Sequence, residues 1–449
     1  MTAVPRPTRY FSMHYILLRF LGLGWFHHPD EGDTRNFPGW YLYYSIATQL
    51  VWVVGFVSLE TIDPFIGEKD LDRFMFSLSF VITHDLTVIK LCIFYFKNDQ
   101  IQEIVRTLEI DLYDYYQNNK KNQATVRITR ILTASFVFFG WLTIGNTNVY
   151  GTIQDLRWKA EVAKLNDSSL IPVRTLPQPI YIPWHYQTDL AYISTFVLET
   201  VGLLWTGHIV MTIDTFIGSV ILHMSSQFGI LQEAFLTAYD RTILKLYLNA
   251  RHDSQEAVPT DDEELSRIYE HSSQDDMEAV VLARFSEEEV GLALQETFKN
   301  CFRQHQVLIR CVEKLAATYS YGFMTQLVSS MAAICVVMVQ VSQDASSFKS
   351  IRLVTSLAFF FAMIIQLAIQ CFTANELTLE AARVTDAVMQ CKWERMPPAL
   401  RRMLVLVMRR AQRPLRLTAA GFAYMNNDCF LAIMKAAYSY YAVLSQKTK

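Results

Sequence analysis

Ionisable side chains inside apolar stretches are the residues of this sequence best placed to do chemistry. His84, Asp85 and Lys90 share one such stretch, and Glu199, His208 and Asp214 share another. Groups of this kind can relay protons or act as general acid and base. A charge at the centre of a membrane helix costs about 2.5–3.5 kcal/mol on insertion scales, so the expectation is that they satisfy one another in a bundle or line a cavity. No Gly-x-Ser-x-Gly or His-Glu-x-x-His pattern occurs, which argues against an intramembrane hydrolase and against an enzyme generally. The cysteines at 92, 301, 311, 335, 371, 391 and 429 include no Cys-x-x-Cys pair. Neither a metal centre, a cofactor nor a structural disulfide is expected.

A second constellation lies near the C-terminus. At about 100° per residue, Lys435, Ser439, Ala442 and Gln446 all fall within about 40° of Asp428 on one helix face. The rest of that helix, with Phe430, Leu431, Ile433, Tyr440, Tyr441 and Leu444, is apolar or aromatic. One striped helix cannot enclose water. A wet stripe therefore requires several copies of the helix around a shared axis, an oligomeric pore. A dry one requires that the stripe be buried against other helices of the same chain, satisfied by interhelical hydrogen bonds. On physics alone both readings stand.

A third group is less polar. Ser79, Ile82 and Thr83, then Thr143, Thr147 and Tyr150, then Phe196, Thr200 and Leu203, and finally Thr355, Ala358 and Phe359 occupy one half of four apolar stretches. Aliphatic and aromatic surface with a few hydroxyls is what a pocket for a small volatile or lipid-like molecule needs, because burial supplies affinity and one hydroxyl can orient the ligand. Ordinary helix packing uses the same residues.

The elements that must position these groups are membrane helices. Apolar runs near Leu42–Leu59, Phe74–Phe96, Ile128–Tyr150, Leu190–Leu222, Leu315–Val341, Leu353–Thr373 and Leu417–Leu444 are long enough to cross the bilayer. Basic residues concentrate after the second span (Lys97, Arg106, Lys120, Lys121, Arg127, Arg130) and before the seventh (Arg383, Lys392, Arg395, Arg401, Arg402, Arg409, Arg410, Arg413, Arg416). The positive-inside rule makes both loops cytoplasmic. The loops at 60–73, 151–189 and 342–352 are then extracellular, the N-terminus cytoplasmic and the C-terminus extracellular, the reverse of a G-protein-coupled receptor. The sequon Asn166-Asp167-Ser168 lies on a compatible side. With no cleavable signal peptide apparent, the first span is expected to direct insertion.

Composition fits a lipid-embedded core: 51% hydrophobic and 18% charged, with a net charge of −3 that suggests no nucleic-acid partner. The chain reads as one seven-helix domain over 1–449. An amphipathic N-terminal stretch (Tyr15, Leu18, Leu21, Trp25) is expected at the membrane interface. Residues 250–289, with Asp261-Asp262-Glu263-Glu264 and Pro259, read as a disordered acidic cytoplasmic insert. Helical periodicity continues on either side of it, so the fourth and fifth spans extend into the cytoplasm. With the basic helix near Ala399–Arg413 they form an anchor where subunits meet.

The last third of the chain resembles the insect odorant receptors. The resemblance is carried by Cys371-Phe372-Thr373-Ala374-Asn375-Glu376-Leu377-Thr378, by Trp393 in Cys391-Lys392-Trp393-Glu394-Arg395-Met396, by Pro414-Leu415-Arg416-Leu417-Thr418-Ala419-Ala420-Gly421-Phe422, and by Ala437-Tyr438-Ser439-Tyr440-Tyr441-Ala442-Val443-Leu444. It implies a subunit of an odour-gated, non-selective cation channel in the plasma membrane of a sensory neuron. In that family the seventh helices of a tetramer line one pore, and odour-tuning subunits assemble with a shared co-receptor.

The same resemblance places Val443 at the hydrophobic gate, Gln446 at a polar pore position, and Thr355 and Ala358 near the ligand pocket; Ser439 is a pore candidate from the helical stripe. Lys447 departs from the pattern, since four lysines at an outer constriction would oppose cation entry. That departure favours a heteromer with the co-receptor. Two alternatives remain at this level. Ser439-Tyr440 followed at a distance by Gln446 loosely echoes the gustatory receptors of the same superfamily, and a non-gated transport or structural membrane protein would need no pore-lining face at all.

Overall fold

The computed structural model describes residues 10–23, 39–66, 71–112, 120–164, 172–253, 274–346 and 350–447. Among these the chain is almost wholly helical. Helix α1 spans Ser12–Phe20 and α2 Gly39–Ile66, with a π-helical stretch at Gln49–Gly55. Helix α3 is Leu71–Phe96, α4 Asn98–Arg106, α5 Lys120–Val162 and α6 Asp189–Leu236. Then come α7 (Ala238–Asp253), α8 (Gln274–Arg284), α9 (Glu287–Ser346), α10 (Ser350–Gln390), α11 (Pro398–Ala411) and α12 (Asn427–Lys447).

Six of these helices, α2, α3, α5, α6, α9 and α10, are long and apolar enough to cross a membrane. The seventh, α12, is shorter at 21 residues and carries Asp428 and Lys435.

Cross-helix bonds give the packing directions. Lys121 of α5 reaches the Gly229 carbonyl of α6 at 3.0 Å, while Thr200 reaches Asn148 at 3.0 Å, so α5 and α6 are antiparallel. Gln366 and Gln370 of α10 meet Asp214 of α6, and Gln232 of α6 meets Glu380 of α10, so these two run parallel. Helix α6 is the hub, buried on nearly all sides from Ile209 to Leu231, and a helix apolar all round belongs in a core.

The bundle has two unlike ends. At the loop end, residues 172–188 cap the helices. At the other, the anchor end, α6 and α9 run on past the apolar spans, as sequence periodicity indicates, and pack through Phe235, Phe298 and Phe302. There Tyr239 donates to Glu278 at 2.8 Å, Arg395 also pairs with Glu278, and Lys392 meets Asp240 at 2.8 Å. Burial, together with the neighbouring Glu278 carboxylate, pushes the Tyr239 phenol up to about 12.

Two sequence expectations need correction and one is refined. The seventh helix starts at Asn427 rather than Leu417. Thr418–Ala419 instead pairs antiparallel with Ala423–Tyr424, around a three-residue loop, Ala420-Gly421-Phe422, with positive φ at Ala420 (49°) and Gly421 (76°). Hairpins of this kind favour glycine in the turn. Ser320 of α9 pins this one, accepting from the Ala420 amide at 2.9 Å and donating to the Thr418 carbonyl at 3.0 Å.

Second, α1, expected at the membrane interface, is docked on the bundle by one face, with Ile16 and Phe20 exposed on the other. Leu18 and Leu21 are buried, and Phe11 meets Phe216 with ring centroids 5.6 Å apart. Its docking is specific, since Glu109 accepts from the Phe11 amide at 3.1 Å and from the Tyr15 hydroxyl at 3.2 Å. Trp25 lies outside the described residues.

Third, the edges of the 250–289 segment are helical, ending α7 and forming α8, because Met277 and Val281 are apolar and buried. Its centre, 254–273, lies outside the described residues, as does the sequon at Asn166.

Candidate ligand cavity and pore face

Of the ionisable groups singled out within the spans, Lys90 and Asp214 pair with each other, and the rest find other partners. Lys90 of α3 donates to Asp214 of α6 at 2.5 Å and also to Gln326 of α9. Gln366 and Gln370 of α10 donate to the two Asp214 oxygens at 2.6 and 3.0 Å. Four helices thus share one buried polar junction, without which an isolated charge could not persist there.

A second chain of bonds runs toward the loop end. His84 Nδ1 lies 2.5 Å from Glu60, whose other oxygen accepts from Gln178 at 2.8 Å, and the Gln178 amide donates to Glu199 at 2.7 Å. Asp85 accepts from Thr61 at 3.0 Å and His208 from Trp141 at 2.8 Å.

Just beside His84 lies an apolar cavity of about 70 Å³. Helix α3 contributes Phe80, Thr83 and His84; α5 contributes Phe136, Gly140, Thr143 and Ile144; α6 contributes Leu203, Gly207, Val210 and Met211; α10 contributes Phe359, Ala362 and Met363. Both threonine hydroxyl protons are committed to helix carbonyls, Thr83 to Ser79 at 2.9 Å and Thr143 to Phe139 at 3.0 Å. What they offer the cavity is acceptor lone pairs.

Gly140 lets α5 and α6 approach, for a Cβ there would collide with the Met211 thioether. Met211 and Met363 are unbranched and adaptable. An apolar cavity of about 150 Å³ holds benzene, so the cavity here admits a ligand of that size only if these walls repack.

Helix α12 divides sharply. Phe430, Ile433, Met434, Ala437, Tyr441 and Leu444 pack onto the core, with Phe430 against Phe372 at 5.0 Å. On the opposite face Asp428, Lys435 and Ser439 are exposed, and Val443 is 58% exposed. The polar stripe turns away from its own bundle.

The chain matches the family model described as 7tm Odorant receptor over residues 70–438. The chain belongs to the odorant receptor family. It is 21% identical to odorant receptor Or1 of Anopheles gambiae over 97% of this chain and 94% of that one. It is 25% identical to odorant receptor 2a of Drosophila melanogaster, across 31% of this chain and only 38% of that receptor's length. In fold it is similar to the insect olfactory receptor OR5 from Machilis hrabei in complex with eugenol, at a TM-score of 0.66, 14% identity and 98% coverage of both chains. This is a family of sensory receptors, not of enzymes.

Within this odorant receptor, the pocket residues expected from sequence fall on two levels. Thr83, Thr143, Leu203 and Phe359 border the deep cavity. Tyr150 borders a separate cavity at the loop end. The others serve packing or helix bonds: Ser79 donates to Phe76, Thr147 to Thr143, Thr355 to Ile351 and Thr200 to Asn148. Phe196 leans on Tyr192, and Ala358 is buried. Ile82 packs against the core cluster.

On α5, α6 and α10 the deep cavity sits about one to two turns further from the loop end than the residues expected from sequence, while on α3 the level is the same. Sequence reading missed Phe80, Phe136, Met211, Ala362 and Met363. The pair Gly140 and Gly207, within otherwise bulky spans, is the signal that marks the level. Of the pore residues, the Ser439 hydroxyl donates to the Lys435 carbonyl at 2.9 Å. The side chains of Gln446 and Lys447 lie outside the described residues.

Proposed function

We propose that this odorant receptor is the odour-tuning subunit of a ligand-gated, non-selective cation channel in the plasma membrane of a sensory neuron. It binds a small volatile in the deep cavity and assembles with a shared co-receptor into a tetramer around the α12 helices. The observation that carries the reading is the orientation of α12. Its apolar face packs on its own bundle while Asp428, Lys435 and Ser439 face outward. A polar stripe left toward lipid would be costly, whereas around a shared axis it lines water.

Other features support the same arrangement. The anchor end carries the basic loops, so the positive-inside rule puts it in the cytoplasm and the loop end outside. Helix α11 leaves Val405 and Leu406 uncovered, 61% and 65% exposed, as a subunit contact would need. The solved relative holds eugenol, a small phenol, and an aromatic of that class suits walls made of Phe80, Phe136 and Phe359.

Gating follows from linkage. A ligand that fits a dilated cavity better than the contracted one favours the state in which α12 moves and Val443 leaves the axis, by no more than its difference in affinity for the two states. The test is whole-cell current from cells expressing this chain alone and with an insect co-receptor, under a panel of volatile esters, alcohols, terpenes and phenols. Evoked cation current only with the co-receptor is expected. Current from the chain alone would contradict the heteromeric assembly, and surface-expressed silence throughout would contradict the function.

A further inference from the structure

Two of the free cysteines meet across α10 and α12. The Cys371 thiol donates a hydrogen bond to the Cys429 sulfur. Phe372 and Phe430, each one residue further along its helix, pack with ring centroids 5.0 Å apart, so the two helices run close at this level. The Cys429 amide donates to Asn426 Oδ1 at 2.8 Å, which holds that residue in the first turn of α12.

The pair is unequal in access. Cys371 is fully buried, whereas Cys429 is half-buried at the edge of the core. Cys301, Cys311, Cys335 and Cys391 are all buried, and the Cys391 thiol is committed to the Val388 carbonyl at 3.0 Å. Oxidation follows thiolate character and exposure, so Cys429 is the sulfur that meets an oxidant and Cys371 the one that resolves it. Both lie toward the anchor end, which the basic loops put in the cytoplasm. Thiols in that compartment are kept reduced, and the disulfides that form there are usually transient and redox-sensing.

We propose that Cys371 and Cys429 are a reversible oxidation site that locks the base of α12 to α10. The oxidant is a peroxide. The Cys429 thiolate attacks one peroxide oxygen, the O–O bond breaks, and Cys429 becomes a sulfenic acid as the other oxygen leaves as water. The Cys371 sulfur then attacks the Cys429 sulfur, the S–S bond forms, and the sulfenic hydroxyl leaves with the Cys371 proton as a second water. Both thiols are oxidised and the peroxide is reduced to water. Helix α10 also carries Phe359, Ala362 and Met363 of the deep cavity, so the link ties a wall of that cavity to the pore helix. The effect on current rests on the channel reading above; the thiol chemistry does not.

The test treats the purified full-length chain with hydrogen peroxide, alkylates the remaining thiols after denaturation, and reads the digested peptides by mass spectrometry. A linked Cys371–Cys429 peptide pair is expected, and dithiothreitol should release it. In Cys371→Ser the Cys429 sulfenic acid should persist and be trapped by dimedone, in Cys429→Ser the Cys371 thiol should stay alkylatable, and Cys92→Ser should link as the wild type does. Alkylation of both thiols in the peroxide-treated wild type would overturn the proposal. In inside-out patches from cells that also express a co-receptor, peroxide should reduce the odorant-evoked current and dithiothreitol should restore it, with Cys429→Ser insensitive to both. A link formed with no change in current would overturn the lock and leave the channel reading standing, whereas a link formed in a chain that never passes evoked current would count against the channel reading instead.

Discussion

Lys90 of α3 and Asp214 of α6 form an ion pair at 2.5 Å in which both side chains are fully buried. Gln326, Gln366 and Gln370 complete it from α9 and α10. A buried pair contributes little net stability against a well-packed apolar pair, but removing one partner strands a charge.

Lys90→Met alone is expected to destabilise the fold by about 3–5 kcal/mol, and Asp214→Leu similarly. The double variant Lys90→Met/Asp214→Leu should regain much of that loss. Thermal unfolding of the detergent-solubilised chain measures all three. Additive losses in the double variant would mean that the two residues act independently.

Gly140→Ala addresses the deep cavity from its back wall. The added methyl must displace the Met211 side chain, and the space nearest to hand is the cavity itself. Sensitivity to an activating odorant should fall by about 10- to 100-fold, the effect of a misplaced methylene-sized group in an apolar pocket, with surface expression retained. An unchanged dose–response curve would mean that the ligand does not occupy this cavity.

Docking of α1 should depend on pH. Burial pushes His14 down to about 4 from 6.5. Between those values the undocked histidine binds a proton and the docked one does not, so stability is full above pH 6.5 and falls as the pH drops toward 4. The slope reaches about 1.4 kcal/mol per pH unit. His14→Gln retains a donor for Thr133, which lies 3.3 Å from His14 Nε2, but cannot titrate. The difference in melting temperature between pH 7 and pH 5 should shrink in that variant; an identical difference would assign the dependence to other groups.

The two faces of α12 make opposite predictions for chemical access. A cysteine in place of exposed Ser439 should react quickly with a charged thiol reagent added to the outside of open channels. A cysteine in place of Ile433, packed against the core, should react at least about tenfold more slowly, as a buried thiol does. Equal rates would remove the argument for a pore face.

Much of the architecture was legible because membrane helices advertise themselves by long apolar runs, and because a stripe such as Asp428, Lys435 and Ser439 follows directly from helical periodicity. The start of α12 was not. Leu417–Met425 is apolar enough to extend a span, and only the left-handed turn at Ala420-Gly421 and the anchoring by Ser320 make it a hairpin. Those are a backbone and a tertiary fact.

Likewise Lys90 and Asp214 were visible as intramembrane charges, but their pairing across 124 residues was not. The pocket was the least legible part. Thr143 and Thr147 are the same residue type one turn apart on one face of α5, and only the level of the cavity, set by the close approach at Gly140, decides that one lines it and the other packs.

The central claim is that a volatile in the deep cavity opens the pore. Leu203→Ala, which enlarges that cavity by three carbons, tests it most directly when the variant and wild type are co-expressed with a co-receptor and currents are recorded across a homologous series of odorants. The account predicts that the optimum moves to ligands longer by one to about three carbons, with the shortest members losing potency as they lose buried area. A uniform shift of every member, with the optimum unmoved, would contradict it.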